Sequence, residues 1–219
     1  MPNYPEIPDR LLEIDELIVS EHWHIDLEDD CYFMWERISG ASYLESATNQ
    51  LIANLQIPMN QREANPWRFR YKAPAVRYSA QALSALIPAD WRDNGTFVPI
   101  PPSRVKDDPD YDPRVLAVLQ AVNPALADVR ELVLLRENAE AKAKNVSPHE
   151  RAANYEINED ETEPEPEHII IFDDVVAGAS HFKAMKMVLE ERFPGVAVTG
   201  LFLARSIRPN HDLVIDIGL

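Results

Sequence analysis

The stretch that most constrains this chain is "HIIIFDDVVAGASHF", His168 to Phe182. After His168 come four apolar residues with no polar alternation. Such a run suits a strand buried on both faces, as in a parallel sheet. The following "HFKAMKMVLEERFPG" sets Phe182, Met185 and Leu189 at helical spacing, with Val188 beside them, before a Pro194-Gly195 turn. A second apolar run, Val196–Ala204, comes next. Strand, helix and strand with short connections form a βαβ unit. The expected fold class is therefore α/β, an open and mainly parallel sheet with helices on both faces.

Upstream elements fit beside this unit. Leu44, Ala47, Leu51 and Leu55 predict a helix over Tyr43–Gln56, closed by Pro58. Val76, Ala80, Leu83 and Leu86 or Ile87 predict another, ended by Pro88. "TFVPIPPSRVKDDPDYDPR" (Thr96–Arg114) reads as a short apolar strand that breaks into prolines and charges. Pro113–Val122 reads as a short helix with proline in its first turn, and Leu132–Leu135 as a buried strand. Residues 139–167 are a long acidic connection, in which "EINEDETEPEPE" has seven acidic residues in twelve; that composition predicts disorder or a solvated loop. Residues 1–92 are expected to form an N-terminal α+β extension or hood, and residues 93–219 the core.

Acidic residues outnumber basic ones 37 to 21, a net charge of −16. That field disfavours nucleic acid as a partner, yet leaves room for one small anion held by local donors. Cys31 is the one cysteine, so no internal disulfide forms; it reads as a buried small hydrophobe. No apolar run is long enough to cross a membrane, and "MPNYPEIPDR" has no secretory pattern, so a cytoplasmic location is expected. Asp29, Asp30 and Glu36 read either as metal ligands or as a solvated acidic turn. In "NPWRFRYKAP", an extended strand would put Arg68, Arg70 and Lys72 on one face, as an anion-facing patch or a charged outer surface. The Tyr43–Gln56 helix and the aromatic N-terminus are candidates for contact within the chain, with a second copy in a homodimer, or within a protein complex.

Asp173 and Asp174 are expected at the carboxyl end of a strand, where open α/β sheets bind ligands. Ala177-Gly178-Ala179-Ser180 has little side-chain bulk and leads into a helix N-terminus, whose unpaired N–H groups suit a phosphate. Acids beside an anion cradle suit a sugar phosphate. Two other readings stand beside this one. An acid after an apolar strand also occurs in nucleotide hydrolases, but the glycine-rich phosphate loop they need is absent. The pair is also readable as a structural cap on the turn.

"IIIFDDVVAGASHF" resembles the ribose-phosphate motif of type I phosphoribosyltransferases, and "FVPIPPSRVKDDPDYDPR" resembles the strand and pyrophosphate loop of the bacterial branch related to the competence-associated members. The resemblance runs over roughly Thr96–Ser206. It implies that Asp173 and Asp174 hold the ribose hydroxyls of phosphoribosyl pyrophosphate, and that Ala177, Gly178, Ala179, Ser180 and His181 wrap its 5′-phosphate. It implies that Ser103, Arg104 and Lys106 meet the pyrophosphate, with Mg²⁺ held through the ligand. It also implies that residues near Arg136–Tyr155 form a mobile loop with Arg151 on the leaving group, and that the N-terminal region covers an acceptor of unknown identity. Arg104 and Arg151 read otherwise as surface arginines. Where the family places threonines and glycine, this chain has Ala177, Gly178, Ala179 and Ser180. Two hydroxyl donors are missing and the glycine falls one position early. That departure admits either a working transferase or a catalytically weak member that senses a ligand as a regulatory partner.

Overall fold

The computed structural model describes residues 2–139 and 146–208. In chain order the elements are β1 (Leu12–Glu13), β2 (Cys31–Ile38), α1 (Ala47–Leu55), α2 (Gln61–Ala64), α3 (Pro66–Phe69), α4 (Lys72–Leu86), α5 (Ala89–Asn94) and β3 (Thr96–Pro99). There follow α6 (Arg114–Gln120), β4 (Asp128–Val129), β5 (Val133–Leu135), α7 (Pro148–Ala152), β6 (Tyr155–Ile157), β7 (His168–Val176), α8 (Ser180–Arg192) and β8 (Ala197–Ile207).

Six strands form the main sheet in the order β1-β2-β8-β7-β3-β4. Only β1 runs antiparallel to its neighbour; the others pair in parallel. Both faces are covered. Ile170, Phe172, Leu201 and Leu203 pack with α1, α4 and α6 on one side. Ile169, Ile171, Phe33 and Phe202 pack with Phe182, Met185 and Leu189 of α8 on the other. The chain is thus α/β, as the unalternated apolar runs require. Strand β2, from the first 92 residues, lies within this sheet beside β8. No helix among the described residues is long and apolar enough to cross a membrane.

The βαβ unit is β7–α8–β8, with register His168↔Ala197 through Val176↔Arg205. Gly200 of β8 allows its close packing, because a Cβ there would stand 2.8 Å from Cys31 Sγ and 2.9 Å from the Phe182 ring. Gly200→Val is expected to cost about 1–3 kcal/mol through overpacking. A lower urea midpoint with an unchanged slope would show it.

Several expectations are corrected. The predicted Tyr43–Gln56 helix begins later, because the Ser46 hydroxyl accepts the Asn49 N–H and caps α1, leaving Leu44 74% exposed. "NPWRFRYKAP" is helical rather than extended: Asn65 caps α3, Pro66 occupies its first turn, and Lys72 opens α4. Arg68, Arg70 and Lys72 therefore share no strand face. Lys72 is buried, and its ammonium donates to Leu55 O, Ile57 O and Asp112 Oδ2. Asp29 is buried too, bonded at 2.8 and 2.6 Å by Lys183 and Lys186 of α8. It is a clasp holding the N-terminal arm, and no metal-binding group of three acids, histidines or cysteines exists among the described residues. The 139–167 connection contains α7, opened by a Ser147–Glu150 capping box, and β6, which pairs with β5 in a small second sheet. Residues 140–145 of that connection lie outside the described residues.

Candidate functional site

The sheet has a topological switch point. From β3 the chain goes outward to β4, whereas from β7 it goes to β8 on the opposite side. Connections that diverge in this way open a crevice at the carboxyl ends of the two strands, the usual ligand position in such sheets. Pairing of β3 with β7 ends at Pro99↔Phe172, while β7 continues beside β8 to Val176. The expected strand end at Phe172 is thus corrected: Asp173 and Asp174 lie inside β7. They stand where its neighbour has stopped and one edge has opened.

The two carboxyl groups have different environments. Asp174 is 4% exposed, and its Oδ2 accepts from Arg114 Nε at 2.6 Å and Gln56 Nε2 at 3.1 Å. Burial alone would raise its pKa. The Arg114 charge and hydrogen bond, with Gln56, outweigh that and hold it below the ordinary carboxylate range. Arg114 also donates to Asp112 Oδ2 at 3.1 Å, and Lys72 donates to the same oxygen at 2.9 Å. Asp173 lacks such partners. Its Oδ1 accepts the Asp174 N–H at 2.8 Å, while burial and then the Asp174 charge push its pKa well above the carboxylate range. The structure therefore does not bring both carboxylates to the rim: Asp174 is turned into an ionic network and Asp173 stands as the adjustable acid.

Beyond β7 the chain crosses from Ala177 to the first turn of α8. The N-terminal arm holds the carbonyls of this loop: His22 Nδ1 donates to Ala177 O at 2.6 Å, and His24 N–H donates to Gly178 O at 3.2 Å. Among the described residues, no N–H from Ala177 to His181 has an acceptor. Ala179 has φ 62°, the left-handed region that favours glycine. Gly178 has open space around it. The loop thus presents a row of free donors in a conformation that carries strain.

Beside it is a cavity of about 290 Å³ between the loop after β3 and the α7–β6 segment, lined by Ser103, Asn138, Arg151, Tyr155 and His181 among others. His181 Nδ1 and the Tyr155 hydroxyl are hydrogen-bonded at 3.0 Å. Burial, then the nearby Arg151 charge, lower the His181 pKa to about 4, so the ring is neutral at pH 7. Burial also raises the Tyr155 pKa, keeping its hydroxyl protonated. Arg151 Nε is buried with no partner among the described residues. Arg104 makes no ion pair there and does not line the cavity. Lys106 is drawn to Glu131 at 2.6 Å instead.

Of the residues expected at the site, Ser103, Arg151 and His181 meet around one cavity, and Asp173 is not among the residues that line it. Arg114, Gln56, Tyr155 and the arm residue His22 were not foreseen. Arg114 carried a usable signal: a cation opening a helix opposes the macrodipole and calls for a tertiary acid. No protein-family model matches the chain, and no curated protein matches it.

Proposed function

We propose that the switch-point crevice binds a phosphorylated pentose, phosphoribosyl pyrophosphate, in a phosphoribosyltransferase-like fold, and that the chain transfers the phosphoribosyl group to a nitrogen acceptor. The observation that carries this reading is the row of unpaired N–H groups at Ala177–His181, next to a cavity holding Ser103 and Arg151. An anion at the helix N-terminus takes donors and dipole together. The ribose hydroxyls then face Asp173, and the departing pyrophosphate faces Ser103 and Arg151. Arginine beside a leaving group that gains negative charge lowers the barrier to its departure. The chain's own residues do not fit a direct Mg²⁺ site, because Asp174 is committed to Arg114 and Asp173 resists ionisation. The metal would arrive on the ligand's pyrophosphate.

A second reading is favoured by one observation. Asp174 is occupied by Arg114 and Gln56, which suits a member that senses the ligand without turning it over. Calorimetry with phosphoribosyl pyrophosphate, with Mg²⁺ and then with chelator, tests both: absence of heat at millimolar ligand overturns them together. Pyrophosphate release against a panel of bases and amines separates them.

Ser180→Asp is expected to weaken binding by about 100-fold or more, since a carboxylate would stand among the phosphate donors. The fold is expected to persist, because an acid in the first turn of α8 suits the helix dipole. Unchanged affinity in a variant with an unchanged melting curve would remove the cradle from the proposal.

A further inference from the structure

Charge is segregated along this chain. From Ala47 to Ala89, the stretch that forms α1 to α4, there is one acid, Glu63, against five bases, Arg62, Arg68, Arg70, Lys72 and Arg77. The stretch carries +4, so the remainder of a chain whose net charge is −16 carries −20. Lys72 is buried against Asp112. The four arginines are exposed and form no ion pair among the described residues. A local field of this kind steers partners of opposite sign. Two of the arginines stand beside exposed aromatic rings. Trp67 is 73% and Tyr43 50% exposed, although tryptophan is highly buried on average. The Arg70 guanidinium carbon lies 4.4 Å from the Trp67 ring centroid and 4.9 Å from that of Tyr71, and its Nη2 donates to the Tyr71 hydroxyl at 2.8 Å. The π faces fix the guanidinium without cancelling its charge. Arg68 and Tyr71 line a cavity of about 350 Å³, together with Tyr43, Gln50 and Asn54 among others. None of these residues is among those that line the switch-point cavity.

We propose that the face formed by Tyr43, Trp67, Arg68, Arg70 and Tyr71 docks a short acidic segment of a protein partner. The segment's carboxylates meet Arg68 and Arg70, and one apolar or aromatic side chain enters the cavity between Tyr43 and Tyr71. Arginine, tryptophan and tyrosine are the residue types that dominate binding energy at protein interfaces. Arg70 is already held by its two rings, which lowers the ordering cost of the contact. Charge complementarity selects an acidic occupant, because the patch is positive and unneutralised. It also limits that occupant's length. A short peptide stays within one screening length of the patch, about 8 Å at physiological salt, whereas a nucleic acid strand or an anionic membrane extends over the surrounding negative surface. The surface stands independently of the phosphoribosyl reading.

The experiment is fluorescence anisotropy of labelled dodecapeptides titrated with the full chain. The first peptide is rich in glutamate and carries one phenylalanine. In the second every glutamate is glutamine, and in the third the phenylalanine is serine. The first is expected to bind about 10-fold or more tightly than either of the others, and to weaken as salt is raised. Arg68→Gln with Arg70→Gln is expected to weaken the first peptide about 10-fold and to remove its salt dependence, with an unchanged circular-dichroism melt, since both positions are exposed. Arg192→Gln, on α8 across the sheet, is expected to leave binding unchanged. Oligothymidylate and phosphatidylserine vesicles, titrated in parallel, are expected to bind more weakly than the first peptide. Equal affinity for the three peptides, tighter binding of either polyanion, an equal loss in Arg192→Gln, or no binding of the first peptide at millimolar concentration would overturn the proposal. So would self-association of the chain in sedimentation that disappears in the Arg68→Gln, Arg70→Gln variant, because a second copy would then cover the face.

Discussion

Replacing Arg114 with methionine is expected to cost about 3–5 kcal/mol of folding stability, the scale for stripping one partner from a buried ion pair. Methionine approximates the stem of arginine, so the loss is mainly electrostatic. Wild-type Asp174 is 4% exposed and relies on Arg114 at 2.6 Å; Gln56 alone would remain. In the wild type the folded Asp174 pKa is depressed. Its contribution is therefore fully present above the unfolded value of about 3.9, and is lost as pH falls through the folded value. Without Arg114, burial dominates and the folded pKa rises above the unfolded one. The sign reverses, so the variant loses stability as pH rises past about 4. Its deficit against wild type is greatest at neutral pH and narrows in acid, which urea unfolding at the two pH values would record. Asp174→Asn in the same background is expected to recover most of the loss. A deficit below about 1 kcal/mol at neutral pH would mean that the pair behaves as a surface contact.

The legible part of this fold was the part written in apolar periodicity. Ile169–Phe172, Phe182-Met185-Leu189 and Val198–Ala204 specify strand, helix and strand because burial on two faces leaves no room for alternation. Where polar residues carry the structure, pattern was silent. "DDVV" continues β7 because β8 still pairs with it, a fact about a neighbour that local sequence does not hold. Arg68, Arg70 and Lys72 alternate like a strand, yet Asn65 and Pro66 start a helix there; the cap and the proline outrank the alternation. For the candidate site, sequence pattern picks out segments but not side-chain partners. Ser103, Arg151 and His181 line one cavity, whereas Lys106 goes to Glu131. The Lys72–Asp112–Arg114–Asp174 chain joins residues from three distant segments, and only the tertiary fold brings them within reach.

Asp173→Asn is expected to make the protein more stable and a poorer ligand binder. Asparagine keeps an oxygen for the Asp174 N–H, which Asp173 Oδ1 accepts at 2.8 Å, so the local geometry is retained. Burial and the Asp174 charge raise the folded Asp173 pKa above its unfolded value of about 3.9. Across that window the native state binds more protons than the unfolded state, so stability falls as pH rises. The wild type therefore carries a penalty at neutral pH that the neutral amide removes. The gain is expected to exceed about 1 kcal/mol, with a flatter dependence of stability on pH above about 4. Binding is expected to move the other way. A ribose diol offers two O–H donors, and an ionised carboxylate has lone pairs for both on two oxygens, whereas asparagine has one oxygen, already engaged. Affinity for phosphoribosyl pyrophosphate is expected to drop about 10-fold. In the wild type it should rise with pH as ligand draws the proton from Asp173, and in the variant it should not. A side chain whose loss strengthens the fold and weakens the ligand is kept for the ligand. If Asp173→Asn unfolds more easily, or binds as the wild type does at every pH, Asp173 is a structural acid and the ribose has no partner on β7.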